Sequence, residues 1–351
     1  MTKSIEAAFV LGILLHSLFP SAFAEGVRIG VVAPLTGGAA ASGETVRNSV
    51  SLAAAEFNSD GAVSFVFEDD QLEPKNTVTV VSKLVEINKV KGLIVFGTGT
   101  SLAVGGIVEK SEIPMIALSI VDRVVADKSF VVKHWVSSRV ENELVVEEVK
   151  RRGYKRVAVV ATTYDAMLAL RDHFLDSKVS EIVFSEDVSK DDVDLRSLVS
   201  RVVSLRPDAV YILLWAPQAG VFAKKLRESG YSGEFFGVHN LEDQNEVSNA
   251  RGALEGAWFV TGNDSAADGY YKAYREKYGK MPAAGGLNSF DAAKLMIEGV
   301  RSGDLNEFLH STKNFSGACG IYGASGMNDF NIAATTKIVR GDSFAPVQGA
   351  R

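Results

Sequence analysis

The chain has 351 residues, 46% hydrophobic and 23% charged, values typical of a globular protein that exclude wholesale disorder. Thirty-seven basic against 43 acidic residues leave a net charge of −6, which speaks against a nucleic-acid or anionic-membrane binder. The one cysteine, Cys319, excludes an intrachain disulfide and a cysteine-based zinc cage, and the length allows about two domains with ample core.

Residues 7–19 (AAFVLGILLHSLF) form an apolar run shorter than the ~20 residues a bilayer span needs. Lys3 precedes it, partly offset by Glu6, and Pro20-Ser21-Ala22-Phe23-Ala24 follows as an A-x-A site that a signal peptidase would cut before Glu25. The reading is a signal peptide over residues 1–24. A buried N-terminal helix is the alternative, disfavoured because a strand-like segment begins at once at Val27. No cysteine stands at the cleavage point, so the expected product is an exported protein free of a lipid anchor.

From Val27 the chain alternates strands and helices. Val27–Ala33 is an apolar, β-rich run ending at Pro34. Gly43 opens a helix whose Val46, Val50, Ala53, Ala54 and Phe57 fall on one face at helical period. Residues 64–67 are the next strand. A helix with Pro74 in its first turn carries Val78, Val81, Leu84 and Val85. Residues 93–96 form a third strand, followed by a glycine-rich turn and a helix near 102–110, and Met115–Leu118 is a fourth strand. After a short strand at 130–133 the pattern restarts, with a boundary near 137–140. A helix at 141–152 leads into strands at 156–161, 181–184, 209–214 and 235–237, separated by helices at 165–176, 194–205 and 217–229. Beyond Gly262 come helical segments at 266–278, 289–302 and Leu305–Ser311, then a glycine-rich stretch and a strand at 335–339. Apolar strands with little polar alternation, separated by helices, mark parallel sheets covered on both faces. The strandless helices after Gly262 must pack back onto one of two sheets, so the chain is expected to cross between lobes more than once.

Enzyme motifs are not present. The histidines after residue 24 are His134, His173, His239 and His310, with no i, i+4 pair and no HExxH, so neither zinc nor another metal is implied. No GxxxxGK[ST] or GxSxG occurs, and in Gly97-Thr98-Gly99-Thr100-Ser101 the third glycine of a dinucleotide fingerprint is replaced by Leu102. No cofactor is expected. The pair Asp69-Asp70 reads as a solvated strand end or helix cap.

In doubly wound sheets, ligands bind beyond the carboxyl ends of the strands, where helix N-termini project free N–H groups. Thr98, Thr100 and Ser101 place hydroxyls there, suited to an anionic ligand end or to capping the helix. Trp215, immediately after an apolar strand, is a ligand wall or an inter-lobe contact. Tyr164 ends another strand. His239 follows a third, ahead of Asn240, Glu242 and Asp243, as a site residue or a structural one.

At these residues the sequence resembles a known family. Ile29-Gly30-Val31-Val32-Ala33-Pro34-Leu35-Thr36-Gly37, Gly43-Glu44 and Ala53-Ala54-Ala55-Glu56-Phe57-Asn58 look like the Leu/Ile/Val-binding periplasmic proteins, type I solute-binding components of ABC importers. The likeness continues through residues 97–101, Ile113-Pro114-Met115-Ile116, Arg206-Pro207-Asp208-Ala209-Val210 and Leu254-Glu255-Gly256. It implies an α/β fold of two doubly wound, Rossmann-like lobes, the type I periplasmic binding protein fold, joined by a multi-crossover hinge. Lobe 1 would comprise residues 25–139 plus 263–327, and lobe 2 residues 140–262 plus 328–351. The resemblance further implies a monomer that takes a small solute (an amino acid, amide, or small or aromatic carboxylate) to an ABC permease, or alternatively presents it to a membrane receptor.

Carried over position by position, it implicates Ser42 in a first-lobe loop and Thr100 and Ser101 at the solute carboxylate. Ser119 and Val121 fall where an ammonium is received, with Asp122 beside them able to supply a charge, and Tyr164 and Trp215 match the second-lobe aromatics. The acid that pairs with the α-ammonium in amino-acid binders falls at His239. A neutral histidine cannot replace that carboxylate. Either Asp122, Glu242 or Asp243 takes over, or the solute is not a standard α-amino acid.

Overall fold

The computed structural model describes residues 26–192 and 194–347; the predicted signal peptide lies outside the described residues. The first half of the chain builds one parallel sheet. Its elements are β1 (Val27–Ala33), α1 (Ala40–Phe57), β2 (Val63–Asp69), α2 (Pro74–Glu86), β3 (Gly92–Phe96), α3 (Thr98–Ser111), β4 (Met115–Leu118) and β5 (Val131–Lys133), with strand order β2-β1-β3-β4-β5. Alternate residues of each strand go to opposite faces. Ile29 and Val31 join one core and Val32 the other.

The second sheet repeats that order. Its elements are α4 (Ser138–Arg152), β6 (Arg156–Thr162), α5 (Asp165–Ser177), β7 (Glu181–Val188), α6 (Arg196–Leu205), β8 (Ala209–Leu213), α7 (Gln218–Glu228), β9 (Glu234–Gly237), α8 (Gln244–Ala250) and β10 (Trp258–Gly262). Strands β7-β6-β8-β9-β10 run parallel. The chain then adds α9 (Asp268–Tyr278), α10 (Gly286–Ser302), α11 (Leu305–Ser311), β11 (Phe315–Gly317), β12 (Gly320–Tyr322), β13 (Ala334–Arg340) and β14 (Ser343–Pro346). Strands β13 and β14 extend the second sheet antiparallel beyond β10, so this sheet is mixed rather than purely parallel.

Helices α9 and α10 pack on the first sheet's α1, and α11 packs on α10. Ser49 Oγ meets Tyr270 OH at 2.8 Å, Tyr278 OH donates to the Asn48 carbonyl at 3.0 Å, and Phe57 lies edge-on to Phe290 at 5.7 Å. The chain therefore crosses to the second sheet, returns and crosses again. Two buried lysines anchor these crossings. Lys133 pairs with Asp122 at 3.1 Å and Asp329 at 3.3 Å. Lys337 pairs with Glu242 at 2.5 Å and Asp264 at 2.6 Å, and these carboxylates hold its ammonium above the usual lysine range despite burial.

Helix α1 starts ahead of the expected Gly43, and that glycine serves packing instead. A Cβ there would stand 2.0 Å from the Pro34 carbonyl oxygen, so the helix lies directly against the β1 exit loop. Asp69 and Asp70 are not a solvated pair: Asp69 accepts the Leu35 N–H at 2.9 Å, and the fully buried Asp70 accepts the Leu72 N–H and the Thr77 hydroxyl, each at 2.9 Å. We expect Gly43→Ala to destabilise the protein by about 1–3 kcal/mol. A lowered urea midpoint at unchanged slope checks this; an unchanged midpoint would show that the β1 exit loop yields freely.

Candidate functional site

Both sheets reverse their strand order beside their first strands, where β1 lies between β2 and β3 and β6 between β7 and β8. Loops leaving the carboxyl ends on either side of such a switch point diverge and leave a crevice. The two crevices face each other across a single cavity of about 300 Å³. From the first sheet its walls take Phe96, Gly97, Thr98, Gly99, Thr100, Leu118, Ser119 and Ile120, from the first crossing Trp135, and from the second sheet Tyr164, Trp215 and His239.

Helix α3 begins at the cavity with Gly97 as its N-cap, at φ 101°, and no side chain caps it. A helix start left this way directs free N–H groups and partial positive charge outward. The neighbouring hydroxyls are partly committed. Thr98 Oγ1 and Ser119 Oγ are 2.8 Å apart, and Thr100 Oγ1 donates back to the Phe96 carbonyl at 2.5 Å. Each oxygen keeps acceptor capacity, and the Thr98–Ser119 pair has a proton to direct into the cavity.

The second-sheet wall is set by hydrogen bonds beneath it. Thr162 Oγ1 accepts the Trp215 N–H at 2.9 Å and donates to Gln218 Oε1 at 2.8 Å. Gln218 Nε2 then holds the Ser189 and Asp192 carbonyls at 2.8 and 2.9 Å, fixing a loop that also lines the cavity. Asn240 Nδ2 clamps the Ile212 and Leu214 carbonyls at 3.0 and 2.9 Å, which brings His239 beside the end of β8. The imidazole lies 5.2 Å from the Trp135 ring and 5.9 Å from Trp215. Its Nδ1 meets Glu141 Oε1 at 2.8 Å.

Of the residues singled out in the sequence, Thr100, Ser119, Tyr164, Trp215 and His239 share this cavity, together with Thr98. Four others are not on its walls. Ser42 is buried within α1, and Ser101 turns toward the sheet, its Oγ 3.5 Å from the Val95 carbonyl. Val121 packs against the core, and Asp122 is engaged by Lys133 and Ser137. The other acids considered are also committed, Glu242 to Lys337 and Thr261, and Asp243 to capping α8. Glu141 was not foreseen, because an acid in the first turn of a helix reads as a partner for the helix dipole.

The cavity mouth carries charge from both sides. Glu73, at the start of α2, pairs with Lys190 at 3.0 Å, and Arg123 pairs with Asp165 of α5 at 3.3 Å. Asp165 also approaches Gly99, where a Cβ would stand 2.7 Å from its Oδ2. The two halves thus touch across the opening. Among the described residues no cluster of His, Cys, Asp and Glu has the arrangement to hold a metal, and no helix is long and apolar enough to cross a membrane.

The chain is 25% identical over 315 residues to the Leu/Ile/Val-binding protein BraC3 of Rhizobium johnstonii, covering 85% of this chain and 84% of that one. It is 26% identical over 286 residues to Leu/Ile/Val-binding protein homolog 2 of Brucella abortus, 75% and 74% of the respective lengths. In three dimensions it matches a leucine binding protein LivK from Thermotoga maritima with a TM-score of 0.82, at 24% identity over 92% of this chain and 97% of that one. LivJ from Streptococcus pneumoniae, in complex with isoleucine, matches at 0.84, with 20% identity over 91% and 97%. A solute binding protein of an ABC transporter from R. palustris, in complex with benzoate, matches at 0.83, with 20% identity over 92% and 95%. A family model described as periplasmic binding protein covers residues 26–343, and the chain belongs to that family.

Proposed function

We propose that this chain captures a small metabolite (an amino acid, amide, or small or aromatic carboxylate) in the cavity between its two sheets and delivers it to an ABC permease. In this reading residues 1–24 are removed on export and the product is a periplasmic monomer without a lipid anchor. The lobes comprise residues 25–139 plus 263–327 and residues 140–262 plus 328–351. The observation that carries the reading is a roughly 300 Å³ cavity bounded by the strand ends of both sheets, with aromatic walls and an uncapped helix start converging on it. Relatives named for branched-chain amino acids and a structural neighbour holding benzoate support the range of solutes.

Thr100, Ser119, Tyr164, Trp215 and His239 are the residues that touch the solute. The free N–H groups of α3 and the Thr98–Ser119 hydroxyl pair suit a carboxylate, while Trp215, Trp135 and Phe96 suit an apolar or planar body. Ser119 meets Thr98 rather than a histidine, so no activated nucleophile is formed there, and binding rather than catalysis is the role. The mechanism is closure about the crossings, stabilised by a solute that contacts both lobes.

A thermal-shift panel of carboxylates, amides and amino acids on the protein lacking residues 1–24 should reveal at least one stabilising solute, because binding only the native state raises its stability. No shift across the panel would remove the reading. Trp215→Ala should weaken that solute at least tenfold, about 1.4 kcal/mol; unchanged calorimetric affinity would show that the indole is not a wall of the site. Closure has its own readout. The mouth pairs are solvent-exposed and worth less than about 1 kcal/mol each, so Lys190→Ala combined with Asp165→Ala should enlarge the solute-free radius of gyration by small-angle scattering. An unchanged radius would show that these pairs do not hold the lobes together.

A further inference from the structure

Each carboxylate lining the cavity mouth already has a cation: Glu73 and Asp191 share Lys190, and Asp165 has Arg123. Deeper in, an acid stands behind the cavity wall. Glu141, in the first turn of α4, is fully buried, and its Oε1 meets His239 Nδ1 at 2.8 Å. Its other oxygen, Oε2, is buried without a hydrogen-bond partner, as is the nearby Tyr211 hydroxyl. His239 lines the cavity and also borders a smaller pocket with Glu242 and Thr261; its Nδ1 faces Glu141, which leaves Nε2 as its other polar atom.

Two charge states are available to such a pair. With a net charge of −1, the imidazole donates Nδ1–H to the carboxylate and Nε2 offers only a lone pair. Adding a proton places an N–H on Nε2 in either internal arrangement: carboxylate with imidazolium, or carboxylic acid donating to Nδ1. The surroundings favour the proton-bound state. Burial pushes the Glu141 carboxyl up, and His239 is flanked by two indoles. The charged or titratable groups facing the pair are Lys133 from β5, Tyr211 from β8 and Glu242 beyond His239. Lys133 with Asp122 and Asp329, and Lys337 with Glu242 and Asp264, each sum to −1, so neither group sets a net positive charge against the proton.

We propose that Glu141 and His239 act as one proton-binding unit presenting Nε2–H to the cavity, which selects a solute offering a carbonyl or carboxylate oxygen there and couples its binding to proton uptake from solvent. Glu141 is a positioning residue, acting through His239. The inference rests on the solute-binding reading above. It excludes an α-ammonium at this point, since that group needs the lone pair of the deprotonated unit.

The test is calorimetric titration of the protein lacking residues 1–24 with matched pairs: 4-methyl-2-oxopentanoate against leucine, and phenylpyruvate against phenylalanine. Measurements run from about pH 5.5 to 8.5, the range of histidine titration, in buffers of different ionisation enthalpy. At least one oxo acid should bind more tightly than its amino acid, with proton uptake, and weaken about tenfold per pH unit above the unit's titration. His239→Gln should flatten the profile. Glu141→Gln should reduce the proton uptake, because the carboxylate that shares the proton with His239 is gone. A flat wild-type profile without proton uptake overturns the coupling, and an amino acid bound more tightly as pH rises overturns the proton-loaded unit; either leaves the solute-binding reading in place. Binding of none of the four at any pH, together with no shift in the wider panel, overturns that reading and the inference with it. Proton uptake by the wild-type protein decides the matter even where a melt shows that Glu141→Gln does not fold.

Discussion

The packing of α10 and α9 against α1 is the constraint on which the rest of this molecule depends. Those helices follow β10 of the second sheet, yet their apolar and tyrosine faces are complementary to a helix of the first, through Tyr270, Tyr278 and Phe290. Satisfying that face obliges the chain to leave the second sheet, return to the first, and leave again to lay β13 against β10. Several strands of chain then run side by side between the sheets, as where the Asn263 N–H meets the Ala333 carbonyl at 2.8 Å. A single linker would let two such sheets rotate freely. Parallel crossings restrict relative motion to bending across them, which is what keeps the two sets of strand ends facing one another.

The crossings are pinned by charge rather than by apolar packing alone. Lys133 and Lys337 are buried, and each is held between two carboxylates contributed by separate segments of the chain. Removing either lysine would leave two carboxylates side by side without their cation, so these triads tolerate little displacement. They also account for the acids available near the cavity. Asp122 and Glu242 are close in sequence to residues that line it, but each is spent on a lysine at a crossing. The hinge and the solute site compete for the same carboxylates, and the hinge holds them.

The strands were legible because a covered parallel strand is an apolar run whose ends are set by glycine, proline or a polar residue; Val27–Ala33, Met115–Leu118 and the helix Leu305–Ser311 coincide with their sequence expectations. Strand β10 was missed, as its run Trp258–Gly262 adjoins the segment where the helical pattern begins, and the hairpin β11–β12 is too short and glycine-rich to register. In the site, strand exits identify themselves: Thr100, Ser119, Tyr164, Trp215 and His239 each follow a strand, and the topology sends all of those ends to one place. Direction one residue further on was not legible. Ser101 differs from Thr100 by a rotation of about 100° around the helix, enough to turn its hydroxyl to the sheet. Glu141 lies 98 residues from His239, and no local pattern joins them.

Moving an acid from the wall of a binding site to the layer behind it changes what the site measures. A carboxylate on the wall is a fixed negative charge across neutral pH and attracts a cation directly. Placed behind an imidazole and cut off from water, the same carboxylate no longer meets the solute; it adjusts how readily the ring in front takes up a proton. The wall then shows a donor or an acceptor according to the proton occupancy of the pair, and the solute's own charge decides which occupancy prevails. The unpartnered Oε2 of Glu141 fits this arrangement, because a fully satisfied carboxylate would be locked in its ionised form. Specificity at this position becomes a property of two residues on different elements, α4 and the turn after β9, which come together only when the strand ends of the second sheet are assembled.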